Sequence, residues 1–185
     1  MRTPKKTTLE FLIINTVKLL AILKMPLYDY DTYIIRGCRY SELKEAEGLY
    51  RKLNGRYFSN IQKIILKLFS KKNLIVTIDK STNKIIALNF YYLNHRDFIE
   101  NTIHGGFIGV LPQYEGQGIA TNMRKLAKSH FEKVGFTGIS SRISKNNIAS
   151  LKTAKKVGFI PVEDYFDTVM NEDRYYLICN LKEKK

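Results

Sequence analysis

The sequence contains few of the residues from which metal and redox sites are built. It has two cysteines and three histidines among 185 residues. Cys38 and Cys179 lie far apart and do not form the short spacing of a metal-binding or redox-active pair. We therefore predict two reduced thiols in a cytoplasmic protein, and no metal site. A catalytic thiol is the weaker alternative, because no neighbour in the sequence would lower either pKa.

The sequence also lacks an apolar run of the roughly 20 residues that a membrane-spanning helix needs. The apolar run Phe11–Leu23 is interrupted by Lys18, and no small-residue cleavage site follows it. We predict an amphipathic helix that packs on the rest of the protein. The alternatives are packing on a second subunit, as a homodimer, and peripheral contact with a membrane. This predicts an N-terminal helical extension over residues 1–31 and a main domain over residues 32–185.

Acidic residues are outnumbered by basic ones, 17 against 31, so the net charge is +14 and the pI is near 9.7. This balance favours anionic partners such as phosphorylated cofactors, nucleotide-linked sugars, nucleic acid or an anionic membrane surface. A solvated, lysine-rich surface without a partner explains it equally well. We expect no nucleic-acid binding, because the chain has no such motif and no element that interleaves basic and aromatic residues.

Hydrophobic periodicity and turn residues predict a single α/β domain. Apolar residues recur at helical spacing between Ser41 and Gly55, which we interpret as the cap and the stop of a helix. Further helices are predicted at 60–69, 118–134 and 147–157, and strands at 32–38, 73–79, 84–93, 102–111, 138–143, 159–164 and 175–181. This order predicts a mixed, mostly antiparallel sheet of about six or seven strands flanked by helices, with the N-terminal helix in addition.

A glycine turn lies between the strand that ends at Val110 and the helix that starts near Gly118. Backbone N–H groups at a helix N-terminus suit a phosphate or pyrophosphate, and Gly116 and Gly118 remove the Cβ atoms that would hold it away. A dinucleotide-binding fingerprint does not fit, because Thr121 stands where its third glycine is needed. A phosphate loop of the NTPase type does not fit either, because Ile119 follows Gly118 instead of lysine.

Two motifs resemble the GNAT superfamily of acetyl-CoA-dependent N-acetyltransferases. "QYEGQGIA", Gln113–Ala120, is similar to the family's Q/R-x-x-G-x-G/A signature and follows a V-x-P sequence at 110–112. "NIASLKTAKKVGF", at 147–159, resembles the second signature, N-x-x-[AS]-x-x-x-x-x-K-x-G-F. The predicted element order is also that of the family, so the resemblance extends from about residue 33 to residue 181.

The resemblance implies acetyl-CoA as co-substrate, in a cleft between the strand ending at Val110 and the strand 138–143. It implies that the pyrophosphate binds the amides of 116–121 and that the pantetheine pairs with the backbone of 108–110. The implied coenzyme-binding residues are Ile108, Gly109, Val110, Gln113, Gly116, Gln117, Gly118, Ile119, Ala120, Thr121 and Asn147. Glycines at 105, 106 and 109 independently indicate a bulge or a closely approaching backbone.

The implied reaction is direct acyl transfer to an amine, with the Val110 N–H polarising the thioester carbonyl. Strand alternation predicts that Glu100, His104, Ile108 and Val110 share one face. His104 lies six residues before Val110, where some family members carry a glutamate base. We predict His104 as the general base, directly or through water, with Glu100 as the alternative. A strand histidine without a catalytic role is also compatible with the sequence.

The sequence departs from the family at the general acid. Many members have a tyrosine seven residues after the asparagine, and here Ala154 stands there. Tyr165 and Tyr114 are the candidate substitutes. The missing tyrosine leaves open a second hypothesis, a non-catalytic acyl-CoA-binding module of the same fold.

The acceptor depends on the variable segment 48–73 and on the segment 163–173. The second carries an acidic cluster that would bind a cationic amine or would simply be solvated; it consists of Glu163, Asp164, Asp167, Glu172 and Asp173. Predicted acceptors are primary amines of small molecules, such as amino sugars, aminoglycosides or polyamines, or of a protein.

Overall fold

The computed structural model describes residues 8–181 and arranges them as a sheet of eight strands with six α-helices. The helices are α1 Thr8–Ala21, α2 Leu43–Asn54, α3 Asn60–Asn73, α4 His95–Glu100, α5 Ile119–Lys133 and α6 Ile148–Lys156. The strands are β1 Tyr28–Asp29, β2 Tyr33–Gly37, β3 Leu74–Asp79, β4 Ile85–Tyr92, β5 Thr102–Val110, β6 Gly138–Ser144, β7 Phe159–Asp167 and β8 Glu172–Asn180. Short 3₁₀ turns precede α2 and α5.

The strands follow the order β1-β2-β3-β4-β5-β6-β8-β7, and every neighbouring pair is antiparallel except β5 and β6. The predicted mixed, mostly antiparallel sheet with flanking helices is therefore confirmed. The strand number is higher than the six or seven expected. The extra strand is β1, which lies within the predicted N-terminal extension and pairs with Ile34 and Ile35 of β2.

Helices cover both faces of the sheet. On one face α5 and α6 pack over β5 to β7, around a core that includes Ile103 and Phe131; α1 packs on α3 and contributes to the same core. On the other face α2 packs over β4 and β5, around Leu49, Tyr50 and Phe90. A side chain's face therefore decides which group of helices it contacts.

The N-terminal helix α1 packs on the rest of the chain through one of its faces. Ile14 and Leu19 are buried, and the buried Asn15 side chain exchanges two 2.8 Å hydrogen bonds with the backbone of Leu93. Lys72 Nζ donates to the carbonyls of Leu19 and Leu20 at the end of the helix. Within residues 8–181, no helix is both long and apolar enough to cross a membrane.

The helix α4 was missed by the sequence analysis, although its start carries a local signal. The Asn94 side chain accepts from the Asp97 N–H, and the Asp97 side chain accepts from the Asn94 N–H, which is a capping box. The helix ends where Asn101 adopts a left-handed conformation, with φ 53°. Glu100 therefore lies in a helix, and its predicted place on the strand with His104 is wrong.

A bulge at Gly106 divides β5 into two halves. Phe107 pairs with Phe90 and Gly105 pairs with Tyr91, so Gly106 has no partner on β4. A Cβ at Gly106 would collide with the Tyr92 ring, which explains the glycine. The expected bulge is confirmed, but the expected face is wrong: His104 shares a face with Phe107, opposite to Ile108 and Val110.

Candidate active-site cleft

The strands β5 and β6 part and open a cleft in the sheet. They pair in parallel from Thr102 and Gly138 to Gly105 and Ser141. Beyond these residues β5 pairs only with β4, and β6 pairs only with β8. The resulting cleft has a volume of about 1090 Å³ and is lined by both strands, the glycine turn and the start of α6.

Backbone groups of β5 face this cleft. The Leu111 N–H donates to the Ile86 carbonyl at 2.8 Å. Hydrogen-bonded and non-bonded pairs alternate along an antiparallel ladder, so the N–H and C=O groups of Ile108 and Val110 face away from β4. Because β6 has diverged there, these groups remain for a ligand. A Cβ at Gly109 would lie 2.9 Å from Leu53 Cδ1 on α2, so this glycine lets α2 pack closely.

The glycine turn suits a pyrophosphate. Gly116 and Gly118 have φ values of 77° and 78°, which glycine adopts without strain, and Gly118 is the N-cap of α5. A Cβ at either position would meet nothing within 4 Å, so the space before the helix N-terminus is open. The Tyr114 hydroxyl donates to Asp79 Oδ2 at 2.7 Å and ties the turn to the end of β3. The residues present therefore fit the coenzyme that the sequence implies.

The structure brings most of the implied coenzyme residues together. The ones that line the cleft are Ile108, Gly109, Val110, Gly116, Gly118, Ile119, Ala120, Thr121 and Asn147. Gln113 and Gln117 do not line it. Gln117 instead lines a separate cavity of about 530 Å³ beside Tyr114 and Asp79. Asn147 caps α6 by accepting from the Ser150 N–H at 3.0 Å, so a structural role also explains this asparagine.

His104 ends a buried chain of hydrogen bonds. Thr102 Oγ1 and Ser140 Oγ both donate to Asp97 Oδ1, at 2.8 and 2.5 Å, and His104 Nδ1 lies 2.7 Å from Ser140 Oγ. Because Ser140 has one hydroxyl proton and gives it to Asp97, its oxygen accepts from His104. The network therefore assigns the proton to Nδ1 and leaves a lone pair on Nε2.

Burial lowers the pKa of His104 below its usual 6.5, and the charges of Arg142 and Arg174 lower it further, while Asp97 opposes them. The imidazole is therefore neutral at pH 7. The side chain is 3% exposed and packs against the Tyr92 ring, and it does not line the cleft directly, although Gly105, the next residue, does. This geometry favours the water-mediated form of the predicted base over direct contact.

The other candidate acid–base residues lie apart from this chain. Glu100 is exposed and forms a 2.8 Å ion pair with Arg96. Tyr165 lies on β7 opposite Arg174, and its hydroxyl is buried with no hydrogen-bond partner among residues 8–181. The Tyr114 hydroxyl, at the glycine turn, donates a hydrogen bond to Asp79. Ala154 is fully buried in the core beside α5, so no acid stands at the family position.

Most carboxylates of the acidic cluster form ion pairs with three basic neighbours, Arg96, Lys145 and Arg174. Glu163 pairs with Arg96 at 2.7 Å, and Asp164 pairs with Lys145 at 2.9 Å. Arg174 lies 3.3 Å from Asp167 and 3.4 Å from Glu172. Four of the five carboxylates therefore have a protein cation, which weakens the expectation that the cluster attracts a cationic substrate.

The cysteines show no sign of reactivity. Both are buried and free, and burial raises the pKa of Cys38 to about 12. Within the described residues no group of three or more His, Cys, Asp and Glu side chains could hold a metal ion.

Sequence reasoning missed several polar residues of the cleft, namely Asn89, Arg124, Arg142 and Arg174. Arg124 is only 5% exposed, on a helix where an arginine ordinarily indicates a solvated face. Its position four residues after Ala120 is the sole signal in the sequence, because residues at this spacing share a helix face.

Comparison with known proteins identifies the family. The acetyltransferase (GNAT) domain family matches residues 45–160, more than half of the chain. The protein therefore belongs to the GNAT family of acetyltransferases. No curated protein sequence matches the chain.

Solved structures share the fold at low sequence identity. A chain of the NatC complex bound to a Gag peptide and CoA is 18% identical, with a TM-score of 0.72 over 82% of this chain and 99% of that one. A ribosomal-protein-S5-alanine acetyltransferase from Vibrio fischeri is 17% identical, with a TM-score of 0.71 over 86% and 99%. The acetyltransferase yncA from Salmonella typhimurium, with acetyl-CoA, is 14% identical, with a TM-score of 0.66 over 83% and 96%.

Proposed function

We propose that this protein is an N-acetyltransferase that moves an acetyl group from acetyl-CoA to a primary amine of a small molecule or a protein by direct transfer. The observation that carries the proposal is the parting of β5 and β6 beside a glycine turn at the start of α5. The CoA in the NatC complex and the acetyl-CoA in the Salmonella enzyme support this co-substrate.

Backbone groups would hold the co-substrate. The amides of 116–121 would donate to its pyrophosphate, and the free backbone groups of Ile108 and Val110 would pair with its pantetheine arm. When bound, acetyl-CoA supplies the acetyl group as a thioester that an amine can attack without a covalent enzyme intermediate. The Val110 N–H would donate to the thioester oxygen, where negative charge develops.

Side chains on the opposite face of β5 would handle the protons. His104 would accept the amine proton at Nε2 through a water molecule, because the ring is buried behind the cleft. Ser140 and Asp97 would orient the ring and stabilise the imidazolium that forms. Tyr165 would donate to the departing thiolate; its hydroxyl has no other partner within residues 8–181, and Arg142 and Arg174 lie near it.

Two relatives favour a protein amine as acceptor. The NatC complex was solved with a peptide, and the Vibrio fischeri enzyme is named for an alanine of a ribosomal protein. The ion pairs of the acidic cluster argue against a polycationic small molecule. A cytoplasmic location fits these acceptors.

A second candidate function is a non-catalytic acyl-CoA-binding module. The buried Ala154 favours it, because the usual proton donor for the thiolate is missing. It differs from the first proposal only in turnover.

Calorimetric titration of acetyl-CoA into the wild type, Gly118→Asp and Gly135→Asp tests the proposal. Both glycines have positive φ and open surroundings, at opposite ends of α5, so the strain of substitution is matched. The carboxylate at 118 would repel the pyrophosphate, and we expect binding to be lost in that variant alone.

Equal binding by all three proteins, or none by the wild type, would contradict the coenzyme site. If the site is confirmed, a panel of peptides and small amines assayed for free thiol distinguishes the catalytic proposal from the non-catalytic one.

A further inference from the structure

Arg124 is a buried cation that has no counterion within residues 8–181. The side chain is 5% exposed, and its guanidinium makes one hydrogen bond, a 3.2 Å contact from Nη2 to Ser150 Oγ. Nε has no hydrogen-bond partner among residues 8–181, and the guanidinium carbon lies over the Phe159 ring, 5.3 Å from its centroid. Burying an unpaired charge is costly, so such a group calls for a physical explanation.

In the part of the chain that the structure describes, no acidic residue supplies the missing charge. The ionisable groups that act on Arg124 are the Tyr91 hydroxyl and the Cys179 thiol. Burial raises the pKa of both groups, so neither is negative at pH 7. Among residues 8–181, the site therefore lacks an anionic acceptor, which a bound ligand could supply.

Arg124 lies where a bound coenzyme would pass. It lines the cleft together with Ser150 of α6. On α5 it follows Ala120, another residue that lines the cleft, by one helical turn, so the two side chains lie on the same side of the helix. A guanidinium also matches the geometry of phosphate oxygens better than any other side chain.

We propose that Arg124 is a coenzyme-binding residue whose guanidinium donates to a phosphate oxygen of acetyl-CoA from the floor of the cleft between α5 and α6. This inference rests on the proposed function, because it takes acetyl-CoA as the ligand. It adds a side-chain cation to a site that is otherwise built from backbone amides.

The proposal predicts opposite effects on stability and on binding. Arg124→Met keeps the length of the side chain and removes the charge. Replacing an unpaired buried charge by an apolar group stabilises a protein, so we expect the melting temperature of the free variant to rise. Its dissociation constant for acetyl-CoA should increase about 10- to 100-fold, the usual effect of losing a charge-assisted hydrogen bond. Arg124→Lys, which keeps the charge, should recover part of the affinity.

The experiment combines thermal unfolding, with and without acetyl-CoA, and calorimetric titration of both acetyl-CoA and CoA. Lys125→Met is the matched control, because it removes the same charge from the exposed side of the same helix. The control should bind as the wild type does. A lower melting temperature of Arg124→Met with unchanged affinity would show that Arg124 only holds α5 against α6, and would overturn the proposal.

Binding by the wild type and the variants distinguishes a failure of this inference from a failure of the proposed function. If the wild type does not bind acetyl-CoA, the proposed function fails and the inference fails with it. If the wild type binds, Gly118→Asp does not, and Arg124→Met binds normally, only the inference fails. If Arg124→Met does not fold, Arg124→Lys decides: a folded lysine variant that binds acetyl-CoA more weakly than the wild type but still binds it supports the contact, and one with wild-type affinity opposes it.

Discussion

The two faces of β5 differ in how they are built. On the side of Ile108 and Val110 the proposed coenzyme contacts are backbone groups, supplied by a strand whose neighbour has diverged and by a glycine turn. On the side of His104 the proposed proton-transfer groups are side chains from three elements, α4, β5 and β6. The backbone contacts depend on the local conformation of one segment. The hydrogen-bonded chain of side chains depends on the register between neighbouring strands. We therefore expect single side-chain deletions to affect mainly catalysis on one face and mainly coenzyme affinity on the other.

The largest expected effect that separates the two faces is that of His104→Asn. The asparagine amide can still donate to Ser140, but the basic Nε2 is lost. We expect kcat to fall about 10²- to 10⁴-fold, the usual contribution of a general base, with unchanged affinity for acetyl-CoA. His130→Asn is the control, because His130 is also buried but lies on α5, away from Ser140. Equal loss of kcat in both variants would assign the effect to packing.

A smaller effect is expected from Ser140→Ala, which breaks the link between His104 and Asp97. Ser140 acts as a positioning residue, so kcat should fall by about tenfold or more. The imidazolium form of His104 would lose its hydrogen-bonded connection to the Asp97 carboxylate and would therefore be less stable. The acid limb of the pH profile of kcat/KM should then move to lower pH. An unmoved limb with a lower kcat would show that Ser140 only fills space. Ser141→Ala, beside it on β6, serves as the comparison.

The pH dependence of stability tests the burial of His104. Its folded pKa is below the usual 6.5, so the unfolded chain binds a proton that the folded protein excludes. Stability is therefore complete above about pH 6.5 and falls as the pH drops towards the folded pKa, by up to about 1.4 kcal/mol per pH unit. Urea unfolding at pH 7 and pH 5.5 should show a larger loss for the wild type than for His104→Asn. His130, with a pKa also lowered by burial, contributes equally in both proteins.

The smallest expected effect comes from Tyr114→Phe, on the coenzyme face. It removes the bond that ties the glycine turn to Asp79 and leaves the backbone donors in place. We expect a few-fold weaker affinity for acetyl-CoA and an unchanged kcat, measured by titration and by steady-state rates at saturating coenzyme. A large fall in kcat would show that Tyr114 takes part in the chemistry, as the sequence had allowed.

The backbone-built face could be predicted from the sequence because its signals are local. The glycines at 116 and 118, the strand before them and the helix after them lie within one short stretch, and the structure places them as expected. The side-chain face could not be predicted, because a bulge and a short helix change which residues meet. Gly106 indicates the bulge, but the predicted faces of β5 assume that its side chains alternate regularly through this position.

Arg124 shows a second limit of sequence reasoning. Whether a helical arginine is solvated or buried depends on what packs against its helix, and here α6 and β7 cover it. The capping box at Asn94 and Asp97 was readable, by contrast, and would have placed Glu100 in α4.

Gly106 is the residue at which the side chains along β5 switch from one face of the sheet to the other. If Gly106 paired with β4 as its neighbours do, a single alternation would run from Thr102 to Val110, and His104 would lie on the same face as Ile108. It would then lose Ser140, Asp97 and the Tyr92 ring together. One unpaired residue thus lets a single strand present the proposed coenzyme contacts on one side of the sheet and the proposed proton-transfer groups on the other.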